Sequence, residues 1–108
     1  MNFNEYQAAA KETAVYSRKF AITYPSLGLA GESGEVCEKI KKVLRDNDGV
    51  VSEENREQLK KELGDVLWYV ATLASDLNLT LNEIADSNIE KLLSRKNRGV
   101  LSGSGDNR

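Results

Sequence analysis

Apolar residues recur at three- and four-residue spacing over most of this chain, and the breaks between those stretches divide it into four helical segments. The first runs from about Asn4 to Arg18 and sets Phe3, Tyr6, Ala10 and Ala14 along one side. The stretch from Lys19 to Ser26 is irregular, because Pro25, the only proline, disfavours helix at Tyr24. Ser26 is the expected cap of a second helix that reaches about Leu44, with Leu29, Val36, Ile40 and Val43 as its apolar stripe. Arg45 to Val51 carries the Asn, Asp and Gly of a connecting loop. Ser52, followed by Glu53 and Glu54, starts a third helix that continues to about Leu77 on the stripe Leu59, Val66, Val70, Leu73 and Leu77. Thr80 and Glu83 form a capping box for a fourth helix, which ends near Asn97 with Gly99 as its stop. No segment alternates with period two over a strand's length. The pattern predicts an all-α fold: a compact, antiparallel, four-helix bundle-like domain over residues 1–99, followed by a small polar tail over 100–108. A chain of 108 residues buries only a modest core, so association through its helices is expected to help stability.

Laid on those helices, the acidic residues form a repeat. Glu32-Ser33-Gly34-Glu35-Val36 and Glu62-Leu63-Gly64-Asp65-Val66 each read acid, any residue, glycine, acid, valine. Residues three apart share a helix face. At about 100° per residue, each acidic pair takes the same place at the edge of its own apolar stripe. Each pair also lies about ten residues from the loop, hence roughly 15 Å from the turn. Folding the second and third helices antiparallel therefore brings four carboxylates to one level. Such a cluster repels itself, and bound divalent cations would neutralise it; Lys39, Lys60 and Lys61 are the nearby cations in sequence. Gly34 and Gly64 weaken their helices, which points to a close helix approach or a crowded ligand site there. Glu38, although three residues after Glu35, faces away from the stripe and reads as surface.

Composition narrows the chemistry. There is no histidine, and the single Cys37 neither pairs nor joins a thiol cluster, so nucleophilic triads and most zinc sites are excluded. The same absence disfavours a carboxylate-bridged redox centre of the Glu-x-x-His kind. Carboxylates without imidazole or thiolate favour hard cations, Mg²⁺ or Mn²⁺. The net charge of −2 gives no field that would draw a nucleic-acid polymer or a membrane surface. No apolar run suits a membrane span and the N-terminus lacks a signal-peptide core, so a cytoplasmic location is expected.

The segments GLAGESGEVCEKIKK, KKELGDVLWYVATLA and NIEKLLSRKNRG resemble the MazG-like, all-α nucleoside triphosphate pyrophosphohydrolases over residues 27 to 99. The resemblance implies that Glu32, Glu35, Glu62 and Asp65 bind Mg²⁺ (Mn²⁺ being the alternative). It also implies cleavage of a nucleoside or deoxynucleoside triphosphate to the monophosphate and pyrophosphate, by a homodimer or homotetramer. Glu35, and with it Glu32, is the candidate for activating the attacking water, with the choice among the four acids left open. Lys39, Lys42, Asn88, Lys91 and Arg95 are the phosphate-contact candidates. Phe20, Tyr24 and Tyr69 are the candidates for stacking on a base. Trp68, off its helix stripe, reads first as an interface residue. The polar tail reads as disordered. The competing reading is a catalytically silent helical module that senses a nucleotide or binds a partner.

Overall fold

The computed structural model describes residues 1–108 and consists of four α-helices with no strand: α1 (Phe3–Thr13), α2 (Thr23–Asn47), α3 (Glu53–Asp76) and α4 (Leu81–Asn97), with a 3₁₀ turn at Arg18–Phe20. The all-α class is as the periodicity predicts. The caps are written in the sequence. The Ser52 hydroxyl accepts the Asn55 N–H while the Asn55 side chain accepts the Ser52 N–H, and Thr80 and Glu83 do the same for α4. Asp48, left-handed at φ 52°, closes α2, and Gly99 at φ 73° follows α4.

Three boundaries differ from expectation, one of them the end of α2, which runs to Asn47 rather than about Leu44 and so takes in Arg45 to Asn47. The first helix stops at Thr13 rather than near Arg18. Beyond it the chain is pulled across α3: the Tyr16 hydroxyl and the Arg18 guanidinium both donate to Asp76, at 2.7 Å each. Those long-range bonds outweigh whatever local preference the segment has for continuing the helix. The second helix starts at Thr23, three residues before Ser26. Pro25 falls in its first turn, where no backbone donor is needed, and is buried. Ser26 is not a cap; its hydroxyl donates back to the Ile22 carbonyl at 2.6 Å. The residue before the helix is Ile22 at φ 70°, with no side-chain cap.

α2 and α3 form a long antiparallel hairpin, and α1 lies across the C-terminal half of α3. The core at that crossing is built from small residues, Ala10, Ala71 and Ala74, closed by Leu81, with Tyr6, Trp68 and Val70 packed around it. Trp68 is half-buried where α1 crosses α3. Its Nε1–H donates to the Thr13 hydroxyl at 2.8 Å. α4 packs on α1 at its N-terminal end, where Gln7 accepts from the Leu81 N–H at 2.8 Å, and then runs clear of the hairpin. The layout is accordingly open: the radius of gyration is 16.7 Å, against about 13 Å for a tightly packed chain of this length. The polar tail folds back over the end of α4. Arg95, 4% exposed, donates to the Asp106 carbonyl at 2.8 Å, and Arg108 donates to the carbonyls of Val100 and Leu101.

Candidate functional site

The hairpin brings three of the four repeat acids together. Carboxylate oxygens of Glu32 on α2 and of Glu62 and Asp65 on α3 all lie within 4.8 Å of one another. Glu32 and Glu62 are half-buried against the hairpin and Asp65 is exposed. Glu35, one turn beyond Glu32, is exposed and stands outside that tight group, yet close enough for its charge to act on Glu32. Burial, followed by the negative charges of Asp65, Glu62 and Glu35, pushes the Glu32 carboxyl above the usual glutamate range. Crowded, partly desolvated oxygen donors of this kind suit a hard divalent cation, which would relieve that repulsion. Glu38 is apart from them, ion-paired with Lys41 at 2.9 Å on the outer face of α2.

The predicted cations separate into two groups. Lys39 reaches the acids, its Nζ 4.0 Å from Glu62 Oε1. Lys42 does not; its charge acts instead on Glu38 and Asp46 on the outer face. The three α4 candidates also lie elsewhere. Lys91 pairs with Asp106 at 3.8 Å and Arg95 is wrapped by the tail, while Asn88 lines a shallow hollow with Leu79, Ile84 and Lys91. The reason is the path of α4, which leaves α1 without returning to the hairpin.

Beside the acids the aromatic residues converge. The Tyr69 ring rests on the bare backbone of Gly28, one turn before Glu32, where an added Cβ would run into the ring. Burial, then the Tyr24 hydroxyl, then the charges of Glu32 and Asp65 raise the Tyr69 phenol above its ordinary range. Tyr6, on α1 and packed against the core, is raised by burial and by the charge of Asp65. From Tyr69 the aromatic contacts continue outward: Trp68 edge-on with centroids at 5.0 Å, Tyr24 at 6.3 Å, and Tyr16 stacked on Tyr24 at 4.7 Å. Tyr16, Tyr24 and Trp68, with Thr13, Val15, Ser17 and Phe20, line a cavity of about 460 Å³. A second cavity of about 400 Å³, between Lys11, Arg18 and Asp76, shares Tyr16 with the first, and none of the four repeat acids lines either cavity.

Of the base-stacking candidates, Phe20 and Tyr24 thus border one cavity and Tyr69 stands between that cavity and the acids. The sequence pattern misses Tyr16 and places Tyr6 only in the core. No periodicity marks either as a neighbour of the site, because an irregular segment and a long-range helix crossing put them there. The glycines divide likewise. The close approach occurs at Gly28, whereas a Cβ at Gly34 or Gly64 would meet nothing within 4 Å, so helix contact does not account for those two.

Comparison with known proteins adds three findings. The family model described as the MazG nucleotide pyrophosphohydrolase domain matches residues 24–100. The chain is similar to the Gene 37 protein of Mycobacterium phage L5, at 49% identity over 114 residues covering 100% of both chains. No solved structure matches it. No helix is long and apolar enough to cross a membrane.

Proposed function

The chain belongs to the MazG nucleotide pyrophosphohydrolase domain family, and we propose that it hydrolyses a nucleoside or deoxynucleoside triphosphate to the monophosphate and pyrophosphate in the presence of Mg²⁺ or Mn²⁺. The observation that carries this reading is the meeting of Glu32, Glu62 and Asp65 within 4.8 Å, with Lys39 paired to Glu62 at their edge and an aromatic cavity beyond Tyr69. The three acids are the metal-holding set. A divalent ion there supplies Lewis-acid polarisation of the phosphate oxygens and offsets their charge.

The remaining work falls to the chain's own side chains. Glu35, beside the trio but outside it, is placed to accept the proton of the attacking water. Water oxygen bonds to the α-phosphorus, the bond from that phosphorus to the bridging oxygen breaks, and pyrophosphate leaves with that oxygen. Lys39 faces the acids as the phosphate contact from this chain. Tyr69 separates the acids from the cavity that Phe20 and Tyr24 border, so a base enters that cavity when the triphosphate lies over the carboxylates.

We also propose that the protein works as a homo-oligomer. A folded monomer of 12.0 kDa would expose about 6,000 Å², whereas this chain exposes 7811 Å². The excess of roughly 1,800 Å² exceeds the ~800 Å² that each partner of a standard interface buries. It is carried by apolar faces such as Ile89 and Leu93 on α4, both more than half exposed. Asn88 and Lys91 lie on that same helix and would act in an assembly rather than in an isolated chain, whereas Arg95 is taken up by Asp106 of the tail.

The test is a panel of nucleoside and deoxynucleoside triphosphates incubated with the pure protein and Mg²⁺ or Mn²⁺. Release of pyrophosphate and the matching monophosphate, abolished by EDTA, is expected. Release of inorganic phosphate instead overturns the bond assignment. Binding of nucleotide and metal with no product at all overturns the enzyme and favours a nucleotide-sensing module.

A further inference from the structure

Asp76 closes α3, remote in sequence from the acidic repeat, and its side chain is only 4% exposed. It accepts from the Tyr16 hydroxyl at 2.7 Å, from Arg18 at 2.7 Å and from the Ile22 N–H at 2.9 Å. All three donors come from the connection between α1 and α2. That connection is not shaped by its own preferences. It contains one short 3₁₀ turn, and it ends on Ile22 at φ 70°, a conformation that a β-branched residue adopts only when its surroundings impose it. A single carboxylate thus holds both ends of the segment from Tyr16 to Ile22.

The same segment forms one wall of the aromatic cavity. Tyr16, whose hydroxyl Asp76 fixes, is the ring on which Tyr24 stacks, with 20° between their planes. Phe20 is carried on the 3₁₀ turn between Arg18 and Ile22. The opposite wall, with Trp68, belongs to α3, and the acids stand on α2 and α3. We propose that Asp76 is a positioning residue of the nucleotide site: it clamps the Tyr16–Ile22 segment so that the aromatic wall keeps its place relative to the carboxylates. This rests on the reading above, in which the base occupies that cavity.

The clamp predicts a separation between base binding and chemistry. Without the carboxylate, the Ile22 N–H and the Tyr16 hydroxyl lose their shared acceptor, and Ile22 can relax from its left-handed conformation. The aromatic wall then drifts while the hairpin that carries the acids is unchanged. Asp76→Asn keeps the size and one acceptor oxygen but loses the charge that holds Arg18. Ribose 5-triphosphate, which carries the ribose and triphosphate but no base, serves as the control substrate.

For Asp76→Asn, KM for a nucleoside triphosphate is expected to rise about tenfold with kcat within about twofold, whereas both constants for ribose 5-triphosphate stay within about twofold. Tyr16→Phe, which removes one bond of the three, should shift KM the same way by a smaller factor. Equal losses on both substrates, or a fall in kcat at unchanged KM, overturn the proposal in favour of a plain structural role. Retained Mn²⁺ affinity shows that the hairpin of Asp76→Asn is folded. If the wild type releases no pyrophosphate, the functional reading fails and the clamp is then judged by binding. Nucleotide affinity, read from Trp68 fluorescence, must weaken in Asp76→Asn while Mn²⁺ affinity holds; equal nucleotide affinity overturns it.

Discussion

Gly28→Ala offers the sharpest test of how α2 and α3 meet beside the acids. In a helix interior, alanine is better than glycine by about 0.5–1 kcal/mol. Gly31, Gly34 and Gly64 have nothing within 4 Å of an added Cβ, so each alanine variant should gain that amount. At Gly28 the added methyl instead falls on Cε1, Cζ and Cδ1 of the Tyr69 ring. The ring has little freedom to yield, with Trp68 edge-on at 5.0 Å and Tyr24 at 6.3 Å. Overpacking of this kind costs about 1–3 kcal/mol, so the propensity gain is cancelled or reversed. The gap between Gly28→Ala and Gly64→Ala is therefore about 1–3 kcal/mol, which for a domain of this size moves Tm by about 4–8 °C per kcal/mol. Melting curves in EDTA at one fixed protein concentration measure it. In a double-mutant cycle, Tyr69→Ala should remove most of the penalty of Gly28→Ala, with a coupling of at least about 1 kcal/mol. If Gly28→Ala melts together with Gly64→Ala, the close approach does not exist and the placement of Tyr69 between cavity and acids goes with it.

Glu32→Gln, Glu62→Gln and Asp65→Asn should each lower kcat/KM on the order of 10²–10³-fold, and abolish the Tm increase that excess Mn²⁺ gives the wild type, about 2.7 kcal/mol of stability at a hundred times Kd. Glu35→Gln should lose turnover but keep that increase, because Glu35 stands outside the tight trio; loss of both would make it a metal ligand. Glu38→Gln, paired outward with Lys41, should stay within about twofold of wild type in pyrophosphate release. Burial of Asp76 works against its charge, but the Ile22 N–H, Arg18 and Tyr16 together hold the carboxyl below its ordinary value of 3.8. Its contribution to stability is thus complete above that pH and is lost as pH falls through the lowered value, so urea midpoints should drop there and Asp76→Asn should flatten the drop. A wild-type curve equally flat would contradict the clamp. Ile89→Asp and Leu93→Asp should shift the sedimentation coefficient toward that of a monomer; an assembly untouched by both places the contact elsewhere.

Features local to one helix are the legible part of this protein. The four helices, the Thr80–Glu83 capping box and the meeting of Glu32 with Glu62 and Asp65 all follow from spacings of three or four residues. The acids can be placed from spacing because a hairpin adds only one unknown, the turn, and the distance of each pair from the turn is a matter of counting residues. Glu35 shows the limit of that reasoning. Helical phase puts it on the same face as Glu32, but whether a carboxylate one turn further along joins a cluster or flanks it depends on the crossing of α2 and α3, which periodicity does not fix.

What is illegible shares one physical origin: contacts made across long stretches of chain that override a local preference. Helix propensity carries the first helix on through Arg18, and the bonds to Asp76 end it at Thr13 instead. Proline at position 25 forecasts a break, yet in the first turn of α2 it costs no hydrogen bond. The off-stripe Trp68 has a partner within the chain that its own helix does not reveal, because α1 crosses α3 and Thr13 accepts its N–H. The lysine and arginine of α4 read as phosphate contacts only on the premise that four helices close one bundle, and that premise concerns the path of the chain after Leu81, about which α4's own sequence is silent. The two kinds of information also divide the site by role. The proposed metal-holding acids sit where local pattern alone can find them, on the α2–α3 hairpin. The proposed base-contacting residues Tyr16 and Phe20 hang on the α1–α2 connection, which Asp76 holds. On the proposed reading, a chain built this way could change the base that it accepts by altering a connection, without disturbing the carboxylates.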